Sequence, residues 1–393
     1  MSNNKIAILL NGPISNDSRM IKITRTISSF INVDLFCLKG KPTDKDIFNE
    51  NVRLITLNEP SGFMNKLTRH SFFYNEFNYF VAEVLNQKIE YKYVYACDLP
   101  MLKPAYLVSE KLSCKLVYDS HELYVEGLNQ FFPNYKNSSF PKKKMIDLSM
   151  FIMTKSGRAT ENALVQKTDH FITTSNSYKN YFETRYHKKD IQKVMNCPPL
   201  EERHQLIDYR KEFNWSENDF IVIYQGLMNP GRGLHLLIDA INESPENIKL
   251  IFLGYGTLEG QLKKQTQELN ACSRIKFVDK VKPHELIGYT IAADLGVNLL
   301  ENINLNKKLA STNKLFEYIH ASIPVLATDT PENQYVLNKY DIGFFVENTV
   351  EDLKKSLLSA SKSDLKQLKS NCKEATKEFN WQNQVKVFEN IFN

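Results

Sequence analysis

Residues 311–332 read S-T-N-K-L-F-E-Y-I-H-A-S-I-P-V-L-A-T-D-T-P-E. Leu315, Phe316 and Ile319 recur at helical spacing, so the first part of this stretch predicts an amphipathic helix. The apolar run at 323–327 that follows is typical of a strand buried on both faces of a parallel sheet. A helix that feeds such a strand predicts an α/β fold.

The start of this helix is a predicted anion site. Ser311 and Thr312 are candidate N-caps, and the free backbone N–H groups of the first turn favour a negative charge in front of them. Glu317 lies one turn further on, about 6 Å along the helix axis, where its carboxylate can accept hydrogen bonds from ribose hydroxyls. This spacing fits a nucleoside diphosphate. The alternative, a buried amphipathic helix with Glu317 as a surface charge, stays open.

The segment N-K-L-F-E-Y-I-H-A-S-I-P-V-L-A-T resembles the donor-nucleotide motif of retaining glycosyltransferases with the two-lobed GT-B fold, the GT4 family in particular. That family often carries two glutamates eight residues apart. Glu317 matches the second, whereas Leu309 stands at the position of the first. The resemblance implies an α/β chain of two Rossmann-like, doubly wound domains that face each other across a cleft. It also implies that Asn313, Lys314, Leu315 and Glu317 bind the donor.

Length, charge and cysteine spacing limit the class of protein. A chain of 393 residues exceeds what one hydrophobic core usually serves, so two domains are expected. The net charge of +5 is too small for a nucleic-acid partner, but it is compatible with an anionic donor or membrane surface. The six cysteines form no C-x-x-C pair, and no signal peptide or spanning segment is evident. We expect a cytoplasmic protein, with a peripheral contact at the inner membrane.

The first half of the chain predicts repeated strand–loop–helix units. The apolar run at 5–10 ends in a turn that contains Gly12, as in the first unit of a doubly wound sheet. In GT4-like enzymes this loop approaches the donor phosphates, which implies donor binding at Gly12, since a glycine permits close approach. A plain tight turn is the alternative. Further strands are predicted at 33–38, 52–57, 93–98, 115–121 and 170–175.

The strand at 115–121 ends in the polar segment Y-D-S-H-E-L-Y. Open α/β sheets bind ligands at the carboxyl ends of their strands. D-S-H-E-L is similar to a stretch of many GT4-like enzymes whose histidine lies at the reaction centre, which implies that His121 is catalytic. A neutral imidazole there would both donate and accept hydrogen bonds near pH 7. A purely structural histidine is the alternative.

The second half predicts a second set of units, with strands at 220–225, 248–253, 275–278, 294–300 and 343–346. Arg232, in the loop N-P-G-R-G, matches the family's lysine at the donor diphosphate, which an arginine can grip bidentately. Gly254 and Gly256 match the family's nucleotide-binding turn. Paired prolines at 198–199 indicate a hinge. The expected domains are therefore 1–199, with 380–393 crossing back to it, and 200–379.

Three other segments carry weaker signals. Asp44 and Asp46 form a D-x-D, the metal signature of another glycosyltransferase fold, but they lie in a lysine-flanked loop, so no metal is expected. Segment 63–85 predicts a long aromatic helix, either core or facing an acceptor or a membrane. Segment 129–145 is interpreted as a loop that ends in a solvated basic patch, P-K-K-K-M, before a helix at 146–168.

The resemblance implies that a sugar passes from a nucleoside-diphosphate donor to a hydroxyl acceptor with retention of configuration. Arg232, Lys314 and the helix start would stabilise the leaving diphosphate, so neither a metal nor another cofactor is expected. The richness in Lys, Asn and Ile suggests a bacterial setting, with a lipid-linked or saccharide acceptor in surface polysaccharide or glycolipid assembly. A catalytically silent nucleotide-sugar-binding subunit and a sugar-nucleotide 2-epimerase stay open as alternatives.

Overall fold

The chain is described by a computed structural model, which covers residues 4–58, 77–132, 135, 138–200 and 206–393. It divides into two compact units. Unit 1 consists of Met1–Val194, Asn304–Asn306 and Gln384–Asn393, and unit 2 of Met195–Ile303 and Lys307–Asn383. The domains predicted from sequence divide at 199 and 379 instead.

Unit 1 is built on a seven-stranded parallel sheet. Its strands are β1 (Lys5–Leu10), β2 (Asn32–Leu38), β3 (Val52–Leu57), β4 (Tyr93–Cys97), β5 (Lys115–Ser120), β6 (His170–Thr173) and β7 (Ile191–Lys193). They lie in the order β3-β2-β1-β4-β5-β6-β7. The order reverses between β1 and β4, which makes their carboxyl ends a topological switch point where such sheets bind ligands. Gly12, Asp98 and His121 follow β1, β4 and β5 at this edge.

The helices of unit 1 connect these parallel strands. They are α1 (Ser18–Ile27), α2 (Asn78–Asn86), α3 (Asp98–Leu112), α4 (Phe140–Leu164) and α5 (Asn176–Tyr186). Of the helix predicted at 63–85, residues 63–76 lie outside the described residues, and α2 forms its last part.

The prediction of a loop up to residue 145 is wrong, because α4 already begins at Phe140. Ser139 has the extended backbone of an N-cap, and Pro141 stands in the first turn. Proline is favoured there because its missing N–H would have no helical partner anyway. The Lys143 N–H donates to the Ser139 carbonyl (2.9 Å), which closes the first turn. The lysines of P-K-K-K therefore lie on a helix.

Unit 2 is built on a six-stranded parallel sheet. Its strands are β8 (Phe220–Leu227), β9 (Ile248–Tyr255), β10 (Ile275–Val278), β11 (Leu295–Asn298), β12 (Val325–Thr328) and β13 (Gly343–Val346), in the order β10-β9-β8-β11-β12-β13. The order reverses between β8 and β11. Along β8, Ile221 and Ile223 enter one apolar cluster, whereas Val222 and Tyr224 enter the other. The sheet is thus buried on both faces, as expected for parallel strands.

The second half of the chain contains the remaining helices. They are α6 (Tyr209–Phe213), α7 (Leu234–Asn242), α8 (Glu259–Glu268), α9 (Leu286–Ile291), α10 (Leu305–Leu309), α11 (Asn313–His320), α12 (Pro331–Tyr340), α13 (Val350–Lys362), α14 (Lys366–Ala375) and α15 (Trp381–Phe392). From Gln384 onward α15 belongs to unit 1, where the Tyr93 hydroxyl donates to the Ile391 carbonyl (2.8 Å) and the Tyr93 ring meets Phe392 edge-on.

Helix α11 is fastened to the sheet by Tyr318. The Tyr318 hydroxyl lies at hydrogen-bond distance from the carbonyls of Ile223 (3.2 Å) and Val297 (3.1 Å) and accepts from the Gln225 N–H. The buried ring lies against Gly296, where a Cβ would stand 2.5 Å from the ring. The position of α11 is therefore set by β8 and β11, the two strands of the switch point.

Candidate active site

In unit 2 the first turn of α11 is not capped by a side chain. Thr312 has the extended backbone of an N-cap, but its hydroxyl donates to Asn298 Oδ1 (2.9 Å) instead of accepting from the helix. The buried Ser311 hydroxyl has no hydrogen-bond partner among the described residues. The prediction that Ser311 or Thr312 caps the helix through its side chain is therefore wrong, and the helix start keeps its free N–H groups and the positive end of its dipole.

Lys314 is a buried cation at this helix start. Its side chain is only 5% exposed, and Nζ has no hydrogen-bond partner among the described residues. Nζ lies 4.6 Å from the centroid of the Tyr224 ring, a cation–π contact. Burial lowers the pKa of Lys314 well below its usual range, and the charges of Arg232 and Lys307 lower it further. An ammonium group held in this way favours an incoming anion.

Arg232 lies near Lys314, on the loop between β8 and α7. The loop depends on glycine, because Gly231 (φ +86°) and Gly233 (φ +61°) have left-handed backbones. The Gly233 N–H donates to Glu301 Oε1 (2.8 Å), which fixes the loop. The Arg232 charge is close enough to Lys314 to lower the pKa of Lys314. Two basic side chains thus lie at the switch point of unit 2.

Glu317 is not a bare surface charge. It is half-buried, and its Oε2 accepts a hydrogen bond from Gln225 Nε2 at 2.6 Å. Gln225 is itself buried, and its Oε1 accepts from the Thr290 hydroxyl (2.7 Å). Gln225 was missed in the sequence, where it reads only as the end of a strand. It holds the Glu317 carboxylate in a fixed direction.

The predicted donor-binding glycines divide into two kinds. A Cβ at Gly254 would stand 2.2 Å from the Gly226 carbonyl, and one at Gly256 would stand 2.3 Å from the Met228 carbonyl. Both glycines are thus required by packing of neighbouring backbone. In contrast, a Cβ at Gly12 or Gly226 would meet nothing within 4 Å. Open space over these two glycines permits a ligand to approach their backbone.

The other two donor-binding candidates differ in exposure. Asn313 is exposed at the first position of α11, whereas the Leu315 side chain is wholly buried in the core of unit 2. Leu315 can therefore reach a ligand only through its backbone. The Leu315 N–H already lies within hydrogen-bond distance of the Thr312 carbonyl (3.3 Å).

A cavity of about 430 Å³ opens at the carboxyl ends of β11, β12 and β13. Its lining is Leu300, Glu301, Asn302, Lys307, Lys308, Thr328, Asp329, Thr330, Val346, Glu347 and Asn348. Glu301 and Lys307 connect it to the cationic cluster through Gly233 and Lys314. The Asn348 amide donates to the Leu300 carbonyl (2.8 Å), but its buried Oδ1 has no partner among the described residues. The lining residues carry hydroxyl, amide, carboxylate and ammonium groups that can bond to a hydroxyl-rich ligand.

In unit 1, His121 lies between two carboxylates. Its Nε2 is 2.9 Å from Asp119 Oδ2, its Nδ1 is 3.5 Å from Asp98 Oδ2, and its backbone N–H donates to Asp98 Oδ1 (2.7 Å). Burial would lower the pKa of His121, but Asp119 and Asp98 raise it to about 9. The two carboxylates thus favour the imidazolium, in contrast to the neutral imidazole expected from the sequence.

Asp119 is the buried anchor of this cluster. It also lies 3.1 Å from Arg19 Nη2 and accepts from the Tyr95 hydroxyl (2.7 Å). Burial would raise the pKa of Asp119, but Arg19 and His121 hold it well below its usual range. Arg19 in turn donates to the Val194 carbonyl (2.8 Å). Asp119 is inaccessible, and its role is to orient the imidazole.

Asp98 is the accessible carboxylate of the cluster and was missed as a site residue. Its side chain is 26% exposed, and its backbone is left-handed (φ +61°), which is unfavourable outside glycine. Burial raises the pKa of Asp98 to about 7, although the charge of His121 opposes the rise. The available signal was its place at the end of the predicted strand 93–98, beside the strand that carries His121.

The D-x-D pair lies in a short 3-10 helix, Pro42–Ile47. Asp44 is buried, and its Oδ2 accepts the Lys41 backbone N–H (2.8 Å), which caps this turn. Asp46 is exposed. The structure thus gives Asp44 a local role in the turn.

Comparison with known proteins finds a family match in the second half of the chain. Residues 205–379 match the family model described as Glycosyl transferases group 1. The matched stretch contains Arg232, Lys314 and Glu317, and the match confirms the predicted resemblance to glycosyltransferases.

Solved structures resemble the chain over nearly its whole length. HepE from Anabaena, in complex with UDP and glucose, has a TM-score of 0.71 at 15% identity, with 99% of each chain covered. Sucrose-phosphate synthase from Thermosynechococcus elongatus has a TM-score of 0.69 at 16% identity, covering 99% of this chain and 98% of its own. WaaG, a glycosyltransferase involved in lipopolysaccharide biosynthesis, has a TM-score of 0.68 at 15% identity, with 99% of both covered.

These likenesses confirm the predicted fold, a two-domain α/β fold of the GT-B type. A search of curated protein sequences gave no match. Within the described ranges, no helix has both the length and the apolar character needed to cross a bilayer.

Proposed function

We propose that the protein transfers a sugar from a nucleoside-diphosphate sugar to a hydroxyl acceptor, with retention of configuration. The observation on which this proposal rests is the burial of the Lys314 amino group without a hydrogen-bond partner among the described residues. A buried ammonium group without a hydrogen-bond partner is costly unless an anion completes its surroundings. Arg232 and the uncapped start of α11 add positive charge at the same place, which fits a diphosphate.

The diphosphate is assigned to this cationic cluster and the ribose to Glu317. Negative charge grows on the diphosphate as the bond to the sugar breaks, and Arg232 and Lys314 stabilise that charge before any proton moves. Because no carboxylate nucleophile is assigned, the acceptor attacks the face that the diphosphate leaves, and a donor phosphate oxygen takes the acceptor's proton. We propose that this chemistry needs neither a metal nor another cofactor.

The cavity at the ends of β11–β13 is assigned to the sugar. It adjoins the cationic cluster through Glu301 and Lys307. The unpartnered Oδ1 of Asn348 can accept from a sugar hydroxyl, and Lys308 and Asp329 supply a donor and an acceptor.

The cluster in unit 1 is assigned to the acceptor. Both imidazole nitrogens of His121 face carboxylates, so we place Asp98 in contact with the acceptor hydroxyl and treat His121 as the residue that positions it. HepE was crystallised with UDP and glucose, which supports a nucleotide-sugar donor, and WaaG is involved in lipopolysaccharide biosynthesis. By analogy with WaaG we propose that the acceptor is a lipid-linked compound or a saccharide in bacterial surface polysaccharide assembly. We also propose that the protein is cytoplasmic.

Calorimetric titration with nucleoside diphosphates tests the donor site. Wild type should bind at least one of UDP, GDP, ADP, CDP and dTDP, and Lys314→Met should weaken that binding about 10–100-fold, as expected for a charged hydrogen bond. The matched control is Lys355→Met, the same change at an exposed lysine of α13. Equal affinity in the Lys314 and Lys355 variants would remove Lys314 from the diphosphate site.

Product analysis separates the remaining alternatives. Glycosyl transfer, or its side reaction with water, releases free nucleoside diphosphate and a sugar in the original anomeric configuration. A 2-epimerase that keeps its product intact would return a nucleotide-linked sugar altered at C2. A silent subunit would bind the nucleotide sugar without either product. Release of a sugar with inverted configuration would contradict the retaining mechanism.

A further inference from the structure

The outer face of α4 carries a concentration of exposed apolar side chains. They are Phe140 (70% exposed), Met145 (62%), Leu148 (59%), Phe151 (59%) and Ile152 (39%). These are five of the thirteen large apolar side chains that are exposed in the described part of the chain, and they fall within thirteen residues of one helix. A contiguous apolar surface of this kind marks an interaction site.

Helical geometry puts these five residues on one side. At about 100° per residue they fall within an arc of about 140°. The buried residues of the same helix fall outside this arc, and Ile146, Met153 and Leu164 lie on the opposite side. Helix α4 is therefore packed through one face and presents a second apolar face outward. We call the side chains of 140, 145, 148, 151 and 152 the α4 outer face.

Lysines are interleaved with this apolar face. Residues 140–155 contain Lys142, Lys143, Lys144 and Lys155 but a single acidic residue, Asp147. Lys144 Nζ lies 4.7 Å from the Phe140 ring centroid, and Lys155 Nζ lies 5.7 Å from that of Phe151. The lysine stems thus run along the aromatic rings while their charged ends stay exposed.

We propose that the α4 outer face docks on an anionic lipid bilayer surface. A helix that lies in the membrane interface buries its apolar side chains among the acyl chains and directs lysines to acidic headgroups. Protein–protein interfaces, by comparison, are depleted in lysine. The sequence had suggested a membrane contact for 63–85 and a solvated patch for the lysines; the surface described here is a different one, and it deepens the proposed function by giving the enzyme access to a lipid-linked acceptor.

Co-sedimentation of the full-length protein with vesicles tests this surface. Wild type should bind vesicles that contain one third phosphatidylglycerol and should bind pure phosphatidylcholine vesicles far less. Phe151→Ser combined with Leu148→Ser should remove most of the binding. Lys144→Gln combined with Lys155→Gln should weaken it about fivefold per lysine, and added salt should weaken the wild type in the same way.

The control is Leu200→Ser combined with Leu206→Ser, the same kind of change at exposed leucines of unit 2, which should leave vesicle binding unchanged. Nucleoside diphosphate affinity of every variant shows that it is folded and keeps this test separate from that of the donor site. In addition, Phe151→Trp should give a blue-shifted emission when anionic vesicles are added.

Two results would overturn the proposal. One is a wild type that binds neither kind of vesicle. The other is a Phe151→Ser, Leu148→Ser variant whose oligomeric state changes in size-exclusion chromatography while its vesicle binding stays the same. The α4 outer face would then be an interface between two copies of the chain.

Discussion

The protonation state of Lys314 depends on the charges around it. Its ammonium group is buried over the Tyr224 ring, and the charge of Arg232 makes its protonated form less favourable still. A bound diphosphate reverses that balance, because it supplies the missing negative charge. Protonation of Lys314 and binding of the anion are therefore coupled.

Nucleoside diphosphate binding should take up a proton, up to one per site. The pKa of Lys314 is lowered in the free protein and rises when the anion binds, so the affinity should fall as pH increases. Calorimetry in buffers of different ionisation enthalpy measures this uptake. Lys314→Met should abolish it, and Lys355→Met should not. A wild type without any proton uptake would contradict the coupling.

The His121 cluster predicts a pH dependence of stability with a definite sign. The pKa of His121 rises from 6.5 to about 9 on folding, so its contribution is complete below pH 6.5 and is lost as pH rises through 9. Between pH 6.5 and 9.5 wild type should lose about 1–3 kcal/mol more unfolding free energy than His121→Gln. Denaturant titrations at the two pH values measure the difference. His284→Gln, at an exposed histidine, should behave like wild type.

At the scale of elements, the sequence predicted most strands because buried parallel strands are plain apolar runs. The bounds of β1, β3, β10 and β13 agree with the prediction, whereas β7 was missed because three residues form no pattern. The start of α4 was missed because its lysines resemble a solvated loop. Hydrogen bonds such as Gln225 to Glu317 join residues far apart in the chain, so a single sequence contains no signal for them.

Because Glu317 accepts a hydrogen bond from Gln225, two substitutions of Glu317 should differ in their effect on stability. Glu317→Ala leaves the buried Gln225 amide without its acceptor, so the ligand-free protein should lose about 1–3 kcal/mol of stability. Glu317→Gln keeps an acceptor and should unfold nearly as wild type does. It should nevertheless bind nucleoside diphosphate about tenfold more weakly, because the charged bond to the ribose is lost.

Pyrophosphate is the control ligand for this prediction, because it has no ribose. Its affinity should be the same for wild type and Glu317→Gln. A parallel loss for both ligands would mean that Glu317 acts on the position of α11 and not on the ribose.

At the scale of the whole molecule, the positive charge for a diphosphate is supplied by the protein itself. Arg232, Lys314 and Lys307 lie near one another and near the start of α11. Helix dipoles and fixed cations can stabilise a leaving diphosphate as a divalent ion does.

Glycosyl transfer should therefore persist after the protein is treated with EDTA and desalted. The measurement is the release of nucleoside diphosphate, with and without added Mg²⁺ or Mn²⁺. Loss of all turnover on chelation, with recovery only on addition of metal, would contradict the prediction and direct attention to the exposed Asp46.

Gly296 has a consequence for how substitutions in this chain will be tolerated. Any side chain there would enter the space of the Tyr318 ring, whose hydroxyl bonds to the strands on both sides of the switch point. A saturation mutagenesis screen scored by growth or activity should thus rank Gly296 with Lys314, although no substrate touches it. Positions that hold α11 in place should therefore tolerate substitution as poorly as positions that contact the substrate.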